Sequence, residues 1–118
     1  MCVGLTRKEF NVKIGIDIIE LSFLKKRLEH SPIFIEKILS LDERADTRIE
    51  KYAGKIAAKE AIIKTGYMKA GQWHRVQILN KKSGAPSVFD ETGKEIKKLQ
   101  ISIAHSPTYA VAVAVYNG

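Results

Sequence analysis

Ala53-Gly54-Lys55-Ile56-Ala57-Ala58-Lys59-Glu60-Ala61-Ile62-Ile63-Lys64 is the core of a longer stretch in which apolar residues recur at helical spacing, with Ile49, Tyr52, Ala53, Ile56, Ala57 and Ile63 forming a stripe. At about 100° per residue this reads as an amphipathic helix running through Lys64, with Gly66 as its stop. Glu60 falls inside the stripe, between Ile56 and Ala53. An unpartnered carboxylate buried there would cost several kcal/mol, so Glu60 must be protonated, paired with a cation, or bound to a metal.

Outward toward the amino terminus, Lys13-Ile14-Gly15-Ile16-Asp17-Ile18-Ile19 reads as a strand rich in β-branched residues. Asp17 interrupts it. Alternation places Gly15 and Asp17 on one face and Ile14, Ile16 and Ile18 on the other, so the glycine leaves space beside the carboxylate. Asp17 and Glu60, from a strand and a helix, would suit a hard divalent cation. Mg²⁺ is the natural candidate, because it accepts one or two protein carboxylates and completes its shell with water and substrate phosphates. Plainer readings exist for each residue alone: Glu60 pairs with Lys64, four residues on, and Asp17 caps the helix that starts near Glu20 or Leu21.

That early helix, Leu21 to Leu28, carries Lys25, Lys26 and Arg27 and breaks at His30-Ser31-Pro32. Phe34, Ile35, Ile38 and Leu39 continue an amphipathic pattern, and Ser40-Leu41-Asp42-Glu43 has the N-cap and early acids of a helix start, which predicts that the long helix begins at Asp42 or later. Beyond it the period changes. Arg75 to Leu79 and Ala85 to Phe89 read as strands joined by a turn at Lys81-Lys82-Ser83-Gly84, with Pro86 favouring an edge. Asp90 to Leu99 fits a short helix or a loop. Gln100 to Ala104 and Tyr109 to Tyr116 read as antiparallel strands joined by His105-Ser106-Pro107-Thr108. The last strand is apolar on both faces and must be covered twice, by the long helix and either loops or another copy of the chain.

The expected architecture is therefore a single α+β domain over residues 1–118, an antiparallel sheet packed against a long helix; 118 residues suffice for one core. Hydrophobic content of 45% is ordinary for a globular chain, and no apolar run reaches transmembrane length. Met1 to Asn11 lacks the apolar core of a secretory signal. Cys2 is the one cysteine, which excludes an internal disulfide and fits a cytoplasmic location. The net charge of +7 predicts an acidic partner: nucleic acid, a phosphorylated small molecule, an anionic membrane or an acidic protein.

Three segments in order, Ile14-Gly15-Ile16-Asp17-Ile18, Ala53 to Lys64 and Ser102-Ile103-Ala104-His105-Ser106, resemble the holo-acyl-carrier-protein synthases, small bacterial 4′-phosphopantetheinyl transferases. The likeness runs from about Lys13 to Val115, and the K-E-A-x-x-K segment preceded by G-x-x-A-A is its most specific part. The resemblance implies a pseudo-hammerhead fold and a homotrimer with shared active sites. It implies transfer of the 4′-phosphopantetheine arm of coenzyme A to a serine of an apo acyl carrier protein, releasing 3′,5′-ADP. Asp17 and Glu60 would be the Mg²⁺ ligands and, with Lys64, the catalytic set. Lys55, Lys64, Gly84, Pro86, His105 and Ser106 would bind coenzyme A. Three departures stand out: Lys55 replaces the usual arginine and loses its bidentate grip, Ala85 replaces a lysine, and Gly66 to Trp73 is not the usual glycine-threonine-rich loop. Asp42 and Glu43 occupy the place of acidic residues that could activate a water as general base. The charge then acquires a partner in an acidic carrier protein, with Lys25, Lys26, Arg27 and Lys37 as its docking face. Membranes and nucleic acid are not expected partners. Two other functions remain open: a basic nucleic-acid-binding module, for which aromatic stacking platforms are lacking, and a catalytically weakened relative.

Overall fold

β-Branched alternation at the start of the chain produces strand β1, Val12–Glu20, and the two-sided apolar run at the end produces β5, Tyr109–Asn117. The computed structural model describes residues 11–118; Cys2 and nearly all of the Met1 to Asn11 segment lie outside the described residues. β5 is central in a three-stranded antiparallel sheet of order β1-β5-β4, where β4 is Leu99–His105. Register pairs Gly15 with Ala114, Ile16 with Val113 and Asp17 with Ala112. A second sheet is the hairpin of β2, Val76–Asn80, and β3, Pro86–Asp90. The Asp90 to Leu99 segment resolves as turns with one isolated bridge from Phe89 to Glu95.

Helix α1, Leu21–His30, follows β1 directly; Asp17 does not cap it, since the N-cap residue is Glu20 and it makes no side-chain cap bond. α2, Phe34–Ile38, is a short turn after the Pro32 break. The long helix α3 spans Ile49–Thr65 and ends at Gly66, whose N–H donates to Ile63 O at 2.9 Å. Its start lies well past Ser40. Ser40 and Glu43 do form a reciprocal capping box, Ser40 N to Glu43 Oε1 at 2.8 Å and Glu43 N to Ser40 Oγ at 3.3 Å, but it closes a single turn. The helix restarts only after the extended Arg48.

α3 lies across one face of the larger sheet, alanine against alanine: Ala57, Ala58 and Ala61 meet Ala112 and Ala114 in a core completed by Ile62, Val76 and Ile78. A second core joins α1 and α2 to the amino-terminal half of α3 through Leu24, Ile35, Leu39 and Ile56. Full burial of each large aliphatic side chain contributes about 1.5–3 kcal/mol. Gly15 is required by the close approach of β1 to α3, because a Cβ there would sit 2.0 Å from Ala61 O. The opposite sheet face is bare: Ile14, Ile16 and Ile18 are 68%, 57% and 61% exposed, beside half-buried Val111, Val113 and Val115. Among the described residues no helix is long and apolar enough to cross a membrane.

Candidate functional site

Because Gly15 lets β1 press against α3, the carboxylate two residues along the strand faces the carboxy-terminal turns of that helix. Asp17, with a side chain 19% exposed, receives Lys64 Nζ at 3.1 Å, and the same ammonium donates to Ile16 O at 2.9 Å. Lys64 therefore pairs with the strand and not with Glu60, correcting the simpler helical pairing. Glu60 is half-buried, and burial followed by the Asp17 charge pushes its carboxyl above the ordinary range, with Lys64 opposing. Lys64 neutralises Asp17 directly and acts on Glu60 only through its field, so the two carboxylates leave negative charge in excess.

This donor set fits Mg²⁺: all-oxygen, doubly anionic, and without a cluster of three His, Cys, Asp or Glu among the described residues, so water and substrate oxygens would supply the remaining positions.

A second group lies elsewhere on the helix. Lys55, Gly84, Pro86 and His105 line one cleft of about 260 Å³, together with the basic Arg48 and Lys51 and the acidic Asp46 and Glu50. Gly84 turns the β2–β3 hairpin at φ +91°, a conformation that suits glycine, and donates its N–H to Lys81 O at 2.8 Å. Arg48 is paired with Asp46 through Nη2 to Oδ2 at 2.7 Å, and this bond holds the Asp46 carboxyl well below the usual carboxylate range. Lys55 Nζ donates to Glu43 O at 2.7 Å; burial lowers the Lys55 pKa, opposed by the charges of Glu43 and Asp46. Ser106 is exposed in the β4–β5 turn, where its hydroxyl accepts the N–H groups of Thr108 and Tyr109 at 3.2 and 3.1 Å. It does not line the cleft.

The expected site residues therefore form two groups, not one. Lys55 and Glu60 are five residues apart on a regular helix, which rotates them roughly 140° from each other. Arg48 and Lys51 were missed in the sequence, although Arg48, Lys51, Lys55 and Lys59 follow a 3-4-4 spacing that marks one helical stripe.

Lys59 was missed as well. It is the fully buried charge of α3, with its ammonium donating to Glu43 Oε1 at 2.7 Å, Ile38 O at 2.7 Å and Trp73 O at 2.9 Å. Both side chains of the Lys59–Glu43 pair are 0% exposed. Glu43 Oε2 accepts the N–H of Ile78 at 2.7 Å. A carboxylate so occupied is unsuited to act as general base; Asp42 is exposed on the same turn, in a separate hollow with Ser40, His74 and Gln77. The divergent segment after α3 turns partly inward: Met68 is 3% exposed, and Tyr67 meets Tyr116 edge to face at 5.2 Å.

Two carboxylates near the carboxy-terminal end of the helix and a cleft of mixed charge near its amino-terminal end are the arrangement against which the relatives can be compared. The family model for the 4′-phosphopantetheinyl transferase superfamily matches residues 13–114. The holo-[acyl-carrier-protein] synthase of Anoxybacillus flavithermus is 37% identical over 114 residues, covering 88% of this chain and 93% of that one; the Oceanobacillus iheyensis synthase is 38% identical over 112 residues, covering 86% and 92%. The crystal structure of a Bacillus anthracis holo-(acyl-carrier-protein) synthase in complex with CoA (3′,5′-ADP) aligns with TM-score 0.72 at 32% identity, over 88% of this chain and 94% of that one. A Helicobacter pylori synthase in complex with coenzyme A aligns with TM-score 0.72 at 26% identity, over 86% and 96%. The chain belongs to the 4′-phosphopantetheinyl transferase superfamily, among its holo-[acyl-carrier-protein] synthases.

Proposed function

We propose that this protein transfers the 4′-phosphopantetheine arm of coenzyme A to a serine of an apo acyl carrier protein, serving fatty-acid biosynthesis in the cytoplasm. The observation that carries the reading is the Asp17–Glu60–Lys64 constellation, since two half-buried carboxylates with one lysine between them have no structural need that a neutral pair would not meet better. The serine oxygen bonds to the β-phosphorus, the bond from that phosphorus to the bridging oxygen breaks, and 3′,5′-ADP leaves. Mg²⁺ held by Asp17 and Glu60 would neutralise the pyrophosphate and stabilise the departing phosphate. Lys64 orients the same phosphates, while Asp42 is the exposed carboxylate available to take the serine proton through a water. Lys55, Arg48 and Lys51 supply cations, and His105, Gly84 and Pro86 the walls, for the nucleotide end.

One chain holds these two groups on different sides of α3, so the active site is completed between copies in a homotrimer. The bare Ile14-Ile16-Ile18 and Val111-Val113-Val115 face is the surface such an assembly would bury. The acidic carrier protein docks on α1 and α2, where Lys25, Lys26 and Lys37 are exposed, Phe23 is 70% exposed, and Arg27 stacks on Phe34 at 4.5 Å.

The test is intact mass of an apo carrier protein after incubation with this protein, coenzyme A and Mg²⁺. A gain of one phosphopantetheine arm, dependent on metal and absent with Glu60→Gln, is expected. Coenzyme A binding without any gain across several carrier proteins would instead identify a catalytically weakened relative. At low salt, charge reversal at Lys25 and Lys26 should raise KM for the carrier protein at least several-fold and leave KM for coenzyme A unchanged; an unchanged carrier KM would remove α1 from the docking face.

A further inference from the structure

We propose that the buried Glu43–Lys59 pair is a positioning pair for the anion cleft, fixing its two walls relative to each other, so that coenzyme A affinity depends on two side chains that do not touch it. This rests on the coenzyme A reading of the cleft. The geometry is specific. The two main walls of the cleft are α3, which contributes Lys51, Gly54 and Lys55, and the β2–β3 hairpin, which contributes Ile78, Gly84 and Pro86; β4 adds Ile103 and His105. Residue 43 bonds to both. Its carbonyl oxygen accepts Lys55 Nζ at 2.7 Å, and its carboxylate accepts Lys59 Nζ from the same helix at 2.7 Å through Oε1 and the Ile78 N–H from the hairpin at 2.7 Å through Oε2.

The contacts also exhaust the groups involved. Lys59 spends its three protons on Glu43, Ile38 O and Trp73 O, and no buried side-chain nitrogen or oxygen among the described residues is left without a partner. A buried ion pair with full hydrogen bonding defines one geometry because each displaced contact leaves a charge unmet. The turn 40–43, which would otherwise be a short surface connection, is thereby locked to the helix one turn beyond Lys55. Lys55 has one long flexible side chain where relatives with arginine would have a rigid fork, so a fixed acceptor for its ammonium matters more here.

The experiment measures the dissociation constant for coenzyme A by calorimetry without carrier protein, together with thermal melting. Glu43→Gln, Lys59→Met and the double variant that removes both charges are each compared with and without Lys55→Met. A positioning role predicts roughly tenfold weaker coenzyme A binding in the variants that fold, the scale of one misplaced hydrogen bond to a charged group, and little further loss once Lys55 is Met. The double variant, which leaves no lone buried charge, keeps the test available if either single variant fails to fold. Unchanged affinity in a folded variant, or equal losses with and without Lys55, would overturn the proposal and leave the pair as a stabilising element alone. If the unsubstituted protein does not bind coenzyme A, the functional reading itself fails, and this proposal with it.

Discussion

Glu60 stands between two opposing demands. Burial and the Asp17 charge raise its carboxyl above the ordinary glutamate range, so the folded protein holds the Glu60 proton more tightly than the unfolded chain does. Such a group favours folding below the unfolded pKa, and that contribution is lost as pH rises through the folded pKa. Without metal, the ionised pair is thus a small destabilising element at neutral pH. Mg²⁺ held by the two carboxylates would reverse the sign, since protons and metal compete for the same oxygens. The expected outcome is a melting temperature that rises on adding Mg²⁺ at pH 7.5 and rises progressively less as pH falls toward the carboxylate range. In Glu60→Gln the metal-induced rise should vanish, and the metal-free melting temperature at pH 7.5 should be equal to or higher than that of the unsubstituted protein. A Gln variant that is less stable without metal would show that the carboxylate has a structural partner instead.

At the scale of elements, the contact between β1 and α3 fixes the distance between the two carboxylates. Gly15→Ala would place a Cβ 2.0 Å from Ala61 O, a backbone atom in the middle of a helix that cannot swing aside. Overpacking of this kind costs about 1–3 kcal/mol, and the strand must retreat, taking Asp17 with it. Urea unfolding should register the loss, and Mg²⁺ affinity should fall as well. By contrast, a Cβ on Gly54 would meet only Ile103 Cγ2 at 2.9 Å, a side-chain end that can turn, so Gly54→Ala should be the milder change. The β1–α3 unit was legible in the sequence because both periodicities are strong and the alternation put Gly15 and Asp17 on one face. The beginning of α3 was less so. Ser40 and Glu43 carry a true capping signal, but a cap does not guarantee propagation: Glu43 is committed to Lys59 and Ile78, and Asp46 binds Arg48, so the helix resumes only at Ile49. Lys59 was invisible for a related reason. A lysine in a helix reads as solvent-facing, and its burial is decided by residues 38, 43 and 73, which are distant in sequence.

At the scale of the whole molecule, the chain carries two separate groups of candidate site residues and one uncovered sheet face. The resemblance already implied a site shared between copies, and the rotation between Lys55 and Glu60 puts the two groups on different sides of α3 in one copy. If a neighbour supplies the missing half, Ile16→Glu, on the bare face opposite Val113, should give monomers by analytical ultracentrifugation. Such monomers should retain their circular dichroism, because the Ile16 side chain lies on the sheet face opposite Asp17 and only its carbonyl meets Lys64, and should lose most transferase activity for want of a neighbour. A sharper expectation concerns mixtures. Lys55→Met and Glu60→Gln chains should each be nearly inactive alone, since every site then lacks one half. Refolded together in equal amounts, they assemble some interfaces in which the intact Glu60 of one copy faces the intact Lys55 of the next. Random assembly makes that pairing about a quarter of all interfaces in a cyclic oligomer, so activity should recover to about a quarter of the unsubstituted level. A mixture no more active than its components would place both groups in one chain's own site, and the bare sheet face would then need a different occupant.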